Sequence, residues 1–145
     1  MIKGTTRLVA IIGSPVVQVK SPENFNTAFQ QTGSDVAMMA MDIPSAGVDA
    51  FLAFARNWQN LDGFVVTIPH KQAIASGIDS VTSRAALFGA VNVVRRDADG
   101  RLTGDMVDGL GFVRAAQSHG FEPQDQQALV IGCGGAGSAI AHALC

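Results

Sequence analysis

Five short apolar runs punctuate the chain: 7–12 (RLVAII), 36–42 (VAMMAMD), 62–67 (DGFVVT), 89–95 (GAVNVVR) and 127–131 (QALVI). Between them lie segments whose apolar side chains recur every three to four residues. Strand-like and helix-like periods that alternate in this way are the pattern of an α/β fold with helices on both faces of an open, mainly parallel sheet. Ser21-Pro22 reads as an N-cap followed by proline in the first helical turn, and Gly33 closes that helix. A second helix is expected from Pro44 to Trp58, with Val48, Phe51, Leu52, Phe54 and Ala55 on its sheet-facing side. Short helices are expected over 70–76 and 80–88. Asp97-Ala98-Asp99-Gly100 reads as a turn into a return strand at 101–103, and a further helix runs from near Asp108 to Gly120. The stretch FEPQDQQ has the composition of a linker loop. The expected division is a substrate-binding catalytic domain over 1–105, then a connecting helix and the start of a second domain over 106–145.

Composition narrows the function classes. A 48% hydrophobic content with 15% charged residues is ample for a buried core, and sixteen glycines against five prolines fit many tight strand-to-helix turns. A formal net charge of −2 with no run of basic residues argues against a nucleic-acid surface. The apolar start of the chain is interrupted by Gly13-Ser14-Pro15, too early for a signal peptide, and reads as a first strand of a cytoplasmic protein. The two cysteines, Cys133 and Cys145, make a poor disulfide framework. His70, His119 and His142 have no neighbours at metal-ligand spacing, so no metal site is expected. His70 reads as a packing or capping residue, and Cys133 as a small side chain tolerated in a tight loop.

The stretch 128–145, ALVIGCGGAGSAIAHALC, has no formally charged side chain over about the length of a bilayer span. Four glycines in six residues each cost a helix about 1 kcal/mol relative to alanine, which rules for a strand, a turn and a buried helix. Gly132, Gly134 and Gly137 have G-x-G-x-x-G spacing between an expected strand and an expected helix. That context is the one in which the motif cradles a dinucleotide pyrophosphate, and the competing reading is a plain structural turn. A complete dinucleotide unit needs a strand, a helix and another strand over about 30 residues. The sequence therefore reads as an amino-terminal portion of a longer protein, ending within the first strand, loop and helix of a Rossmann domain.

Two titratable residues follow polar signatures at element junctions. Lys71 follows a strand that stops at a proline (GFVVTIPHK), and Asp108 lies among glycines (GDMVDGLGF). A lysine beside a carboxylate can hold a substrate hydroxyl and pass its proton. On spacing alone, a surface lysine and a helix-capping aspartate are the plainer reading.

The ordered blocks GSPVVQVKSPENFN, GFVVTIPHK, GAVNVV, GDMVDGLGF and IGCGGAG resemble those of the shikimate/quinate dehydrogenase family over essentially the whole chain. The resemblance implies NADP- or NAD-dependent oxidation of a ring hydroxyl of a cyclic hydroxy acid, by a monomer or homodimer. It implies Lys71 as the catalytic lysine and Asp108 as its partner, with Thr67 and Asn92 hydrogen-bonding the substrate. Ser21 would bind the substrate carboxylate together with position 19. Gly132, Gly134, Gly135, Ala136 and Gly137 would form the cofactor phosphate loop. Lys71 would then relay the hydroxyl proton while hydride passes to the nicotinamide.

The chain departs from the family pattern at several polar positions. Val19 replaces the first hydroxyl of the family's S-x-S-P block, and Val65, Val93, Met106 and Val107 replace other polar residues. A hydrogen bond to a charged group contributes about 1.5–3 kcal/mol, so two lost bonds cost about two to four orders of magnitude in affinity. Altered specificity follows, unless Lys20 compensates by meeting the carboxylate. Two alternatives stand beside the dehydrogenase reading. One is a non-catalytic binding or regulatory module, and the other is a non-redox enzyme using Lys71 as a carbonyl nucleophile.

Overall fold

The computed structural model describes residues 1–145. β1 (Arg7–Gly13), β2 (Val36–Asp42), β3 (Leu61–Val66), β4 (Ser80–Val81), β5 (Val93–Arg96) and β6 (Leu102–Asp105) form one sheet in the order β2-β1-β3-β5-β6-β4. The helices are α1 (Ser21–Thr32), α2 (Val48–Asn57), α3 (Lys71–Gly77), α4 (Ser83–Phe88), α5 (Asp108–Ser118) and α6 (Gly135–Leu144). β1 pairs in parallel with both β2 and β3, and β4 pairs in parallel with β6. β5 runs against its neighbours β3 and β6, which makes the sheet mixed rather than wholly parallel. The turn at 97–100 accounts for the antiparallel β5–β6 pair, because it folds β6 directly back onto β5 without a crossover helix.

One face of the sheet carries the core. Ala10 and Ile12 of β1, Phe64 and Val66 of β3 and Val94 of β5 are buried with Val48, Phe51, Leu52 and Ala55 of α2 and Ile74 of α3. Phe51 and Phe64 meet edge to face, with ring centroids 5.0 Å apart. Phe54, expected on the buried side of α2, is instead exposed and rests on Trp58 with ring centroids 5.2 Å apart. α1 covers the opposite face. Its Asn26 side chain both donates to the Met38 carbonyl at 2.9 Å and accepts from the Met38 N–H at 2.7 Å, tying the helix to β2. Gly33, in the left-handed region at φ 68°, ends α1 as its sequence position predicts. The N-cap is Lys20, one residue before Ser21.

Three further expectations change. Ser80–Val81 pairs with β6, so the helix expected over 80–88 is confined to 83–88, where the Thr82 side chain caps it. The strand expected over 89–95 begins only at Val93, because Gly89 turns the chain out of α4 in the left-handed region. The strand expected at 127–131 does not form. No strand pairs with it, and Leu129 and Ile131 are exposed. A single extended segment without a ladder partner has no hydrogen bonds to define it as a strand. α6 nonetheless forms and lies against α5, where Gly109 has no room for a Cβ against the Ala139 carbonyl. No helix is long and apolar enough to cross a membrane.

Candidate active site

Two element junctions converge beyond the carboxyl ends of β3 and β6. β3 ends at Val66, and Thr67-Ile68-Pro69-His70 leads into α3, whose first residue is Lys71. β6 ends at Asp105, and Met106-Val107 leads into α5, whose first residue is Asp108. Lys71 Nζ donates to Asp108 Oδ2 at 2.5 Å, and the two side chains are only 17% and 26% exposed. Residues distant in sequence thus form one shielded ion pair that remains reachable from solvent. The Val91 N–H donates to the Lys71 carbonyl at 3.0 Å and holds the segment before β5 against the start of α3.

Asn92 completes this arrangement. Its Nδ2 donates to Asp108 Oδ1 at 2.6 Å, and its Oδ1 accepts the Val107 N–H at 2.8 Å. Asn92 is buried, and both ends of its amide are engaged within the protein. Asp108 therefore receives Lys71 on one oxygen and Asn92 on the other. This clamp has no signature in the sequence, because it depends on the loop before β5 meeting the loop after β6.

A second polar cluster lies one step back along β6. Asp105 accepts from Thr82 Oγ1 at 2.6 Å, from Arg84 through both Nε and Nη2, and from the Met106 N–H at 2.7 Å. Burial pushes the Asp105 carboxyl up, but the Arg84, Thr82 and Met106 hydrogen bonds outweigh it and leave the group below its usual range. The cluster fixes the backbone that leads to Asp108.

The remaining expected site residues are distributed around this centre. Thr67 is half-buried at the exit of β3, with its methyl against Gly13. Ser21 is half-buried at the first position of α1, and Val19 is half-buried in the loop before it. The Thr67 and Ser21 hydroxyls take no partner within the chain, and no partnerless side-chain oxygen is buried, so both reach the surface. Lys20 is largely exposed and lies 3.3 Å from Glu23 on the same helix. The apolar departures are mostly absorbed by packing. Val65 and Val93 are cross-strand partners lining a groove of about 270 Å³ with Phe25 and Phe29 of α1, and Met106 is in the core. Val107 is half-buried at the N-cap of α5.

The glycine loop reaches the ion pair. A Cβ on Gly135 would lie 3.6 Å from Lys71 Cδ, so the start of α6 sits beside the lysine stem. Gly132 is in the left-handed region at φ 100°, and a Cβ on Gly137 would strike the Gly132 carbonyl. The loop thus folds back over the first turn of α6, with open space at Gly132 and Gly134. Gly134 caps α6 without a side chain, which leaves the first N–H groups of the helix free to face a ligand. Ala136 is half-buried in the same turn, while Cys133 is exposed. No group of three or more histidine, cysteine or carboxylate side chains is arranged to hold a metal ion.

Comparison with known proteins identifies the lineage. Residues 11–94 match the model of the shikimate dehydrogenase substrate binding domain. The chain is 38% identical over 143 residues to the shikimate dehydrogenase (NADP(+)) of Rubrobacter xylanophilus, covering 99% of this chain and 50% of that protein. It matches a shikimate 5-dehydrogenase of Thermus thermophilus in complex with NADP(H) and shikimate at TM-score 0.89 and 34% identity, over 96% of this chain and 52% of that one. A shikimate 5-dehydrogenase of Listeria monocytogenes in complex with shikimate and NAD matches at TM-score 0.88 and 34% identity, over 97% and 48% of the two chains. The chain spans about half the length of the curated relatives it matches. Fold and site together define an α/β protein that gathers a lysine–carboxylate pair and a glycine loop beyond the carboxyl ends of interior strands. The chain belongs to the shikimate dehydrogenase family.

Proposed function

We propose that the chain is the substrate half of an NAD(P)-dependent dehydrogenase acting on a ring hydroxyl of shikimate, quinate or a related cyclic hydroxy acid. The observation that carries this reading is the 2.5 Å contact between Lys71 and Asp108 beside the Gly135 turn. A hydroxyl placed against the pair can donate to one member while accepting from the other. The proton that leaves the oxygen as its carbon is oxidised is then received within hydrogen-bond reach. Asn92 holds the Asp108 carboxylate in the orientation that faces this hydroxyl. The Thr67 and Ser21 hydroxyls supply two further donors, for a ring hydroxyl and a carboxylate.

The glycine turn fits a dinucleotide, because its backbone leaves the space that a Cβ would fill and presents free helix N–H groups to a phosphate. Gly132, Gly134, Gly135, Ala136 and Gly137 would hold NADP or NAD there, and the bound nicotinamide supplies the hydride acceptor. The division into a substrate domain over 1–105 and a connecting helix with the start of a cofactor domain over 106–145 rests on the packing of α6 on α5.

The second reading is a binding or regulatory module that retains the substrate domain. Reduced-nicotinamide formation by the intact protein, with NADP and NAD and a panel of cyclic hydroxy acids, separates the two. Formation with any member of the panel supports the dehydrogenase. Binding of a panel member without any formation supports the module.

A further inference from the structure

His70 immediately precedes Lys71, and its backbone carbonyl accepts the Ile74 N–H at 2.9 Å in the first turn of α3. Its ring is 1% exposed and so closed to a ligand. Nε2 lies 2.6 Å from the Ile43 carbonyl oxygen. A carbonyl only accepts, so Nε2 carries the hydrogen and donates.

Ile43 is the first residue beyond β2, and its own N–H donates to the Gly13 carbonyl at the end of β1 at 2.9 Å. The next residue, Ser14, donates its N–H to the Ile68 carbonyl at 3.1 Å, and the Thr67 N–H donates to the Ile12 carbonyl at 2.9 Å. β1 lies between β2 and β3 in the sheet. The His70 ring therefore reaches across the end of β1 to the exit of β2, closing a ring of bonds through His70, Ile43, Gly13, Ser14 and Ile68.

We infer that His70 is a positioning residue: by tying the turn at 67–70 to the exit of β2, it fixes the start of α3 so that the Lys71 ammonium meets Asp108. The catalytic meaning of this inference rests on the reading of Lys71 given above. A lysine side chain gives up rotamer freedom when held in one geometry. It keeps that geometry only if its Cα does not wander. A misplacement of about 1 Å at a reacting group can cost about a hundredfold in rate. Besides the tie, the Val91 N–H is the cross-chain bond that holds the Lys71 backbone.

Trace acetylation of the intact protein, read by peptide mass mapping, tests the inference without any turnover. The chain has three lysines, so Lys3 and Lys20 serve as internal references. His70→Phe keeps a buried ring and removes the donor, while His70→Gln places an amide N–H near the position of Nε2. The Lys71 side chain is 17% exposed and that of Lys20 is 72% exposed, so release of Lys71 from the pair raises its labelling relative to Lys20. The expected result is such a rise in His70→Phe and a ratio near that of the parent in His70→Gln. An unchanged ratio in His70→Phe overturns the inference, as does an equal rise in both variants, because ring volume and not the donor would then be acting.

A measurement on the parent chain covers the case in which a variant does not fold. Nitrogen NMR of His70 is expected to show a hydrogen on Nε2 with slow exchange, and a hydrogen on Nδ1 alone overturns the tie. Loss of dehydrogenase activity as a reading would leave these outcomes untouched, so the two claims fail separately.

Discussion

Asn92 grips Asp108 from the side opposite Lys71: its amide nitrogen donates to Oδ1 at 2.6 Å while its amide oxygen takes the Val107 N–H at 2.8 Å. One buried side chain therefore fixes both the carboxylate and the backbone that presents it. Replacing Asn92 by alanine leaves a carboxylate oxygen and an amide N–H without their partner. The expected loss of stability is about 1–3 kcal/mol in urea unfolding of the chain. Stability equal to that of the parent would show that water replaces the amide at no cost.

Asp105 sets an acid limit on the same corner of the fold. Its carboxyl is held below the ordinary value of 3.8 because Arg84, Thr82 and the Met106 N–H outweigh the effect of burial. With the folded value depressed, the unfolded chain binds the proton more readily, so this contribution is complete above pH about 3.8 and is lost as the pH falls through the folded value. Asp79, lowered by the Leu102 N–H and by Arg56, acts in the same direction. Asp105→Asn is expected to lower stability at pH 7 and to converge on the parent as the pH falls below that window. A gap between the two urea midpoints that stays constant down to pH 2 would contradict this.

On the proposed dehydrogenase reading, Val19 bears on what the site prefers. It stands half-buried where the family resemblance places a carboxylate-binding hydroxyl, and Lys20 lies toward Glu23. Val19→Ser restores that hydroxyl. A hydrogen bond to a charged group contributes about 1.5–3 kcal/mol, so calorimetric titration with shikimate should show binding tighter by about ten- to a hundredfold. Unchanged affinity would place position 19 away from the carboxylate.

Local chemistry made part of this molecule legible. Gly33 ends α1 where a left-handed residue is needed, and the buried positions of α2 follow from its three- and four-residue spacing. What escaped depends on neighbours. The direction of β5 relative to β3 is a matter of tertiary pairing, and its own residues would suit a strand of either direction. Residues 127–131 look like a strand, yet a strand is defined by a ladder that this segment does not have. Phe54 fits the apolar spacing of α2 but rests outside on Trp58. Lys71 and Asp108 stood out as residues at junctions, whereas their contact follows from β3 and β6 delivering two helix starts to one place. The engagement of both ends of the Asn92 amide, and the tie from His70 to Ile43, are made by loop backbones that no spacing rule locates.

On the proposed reading the Lys71 ammonium and the Asp108 carboxylate act together on one substrate hydroxyl, and turnover of Lys71→Ala in the intact protein tests whether they do. General acid–base catalysis contributes about two to four orders of magnitude, so kcat is expected to fall by that amount while KM for the hydroxy acid changes little. A kcat equal to that of the parent would remove Lys71 from the chemistry.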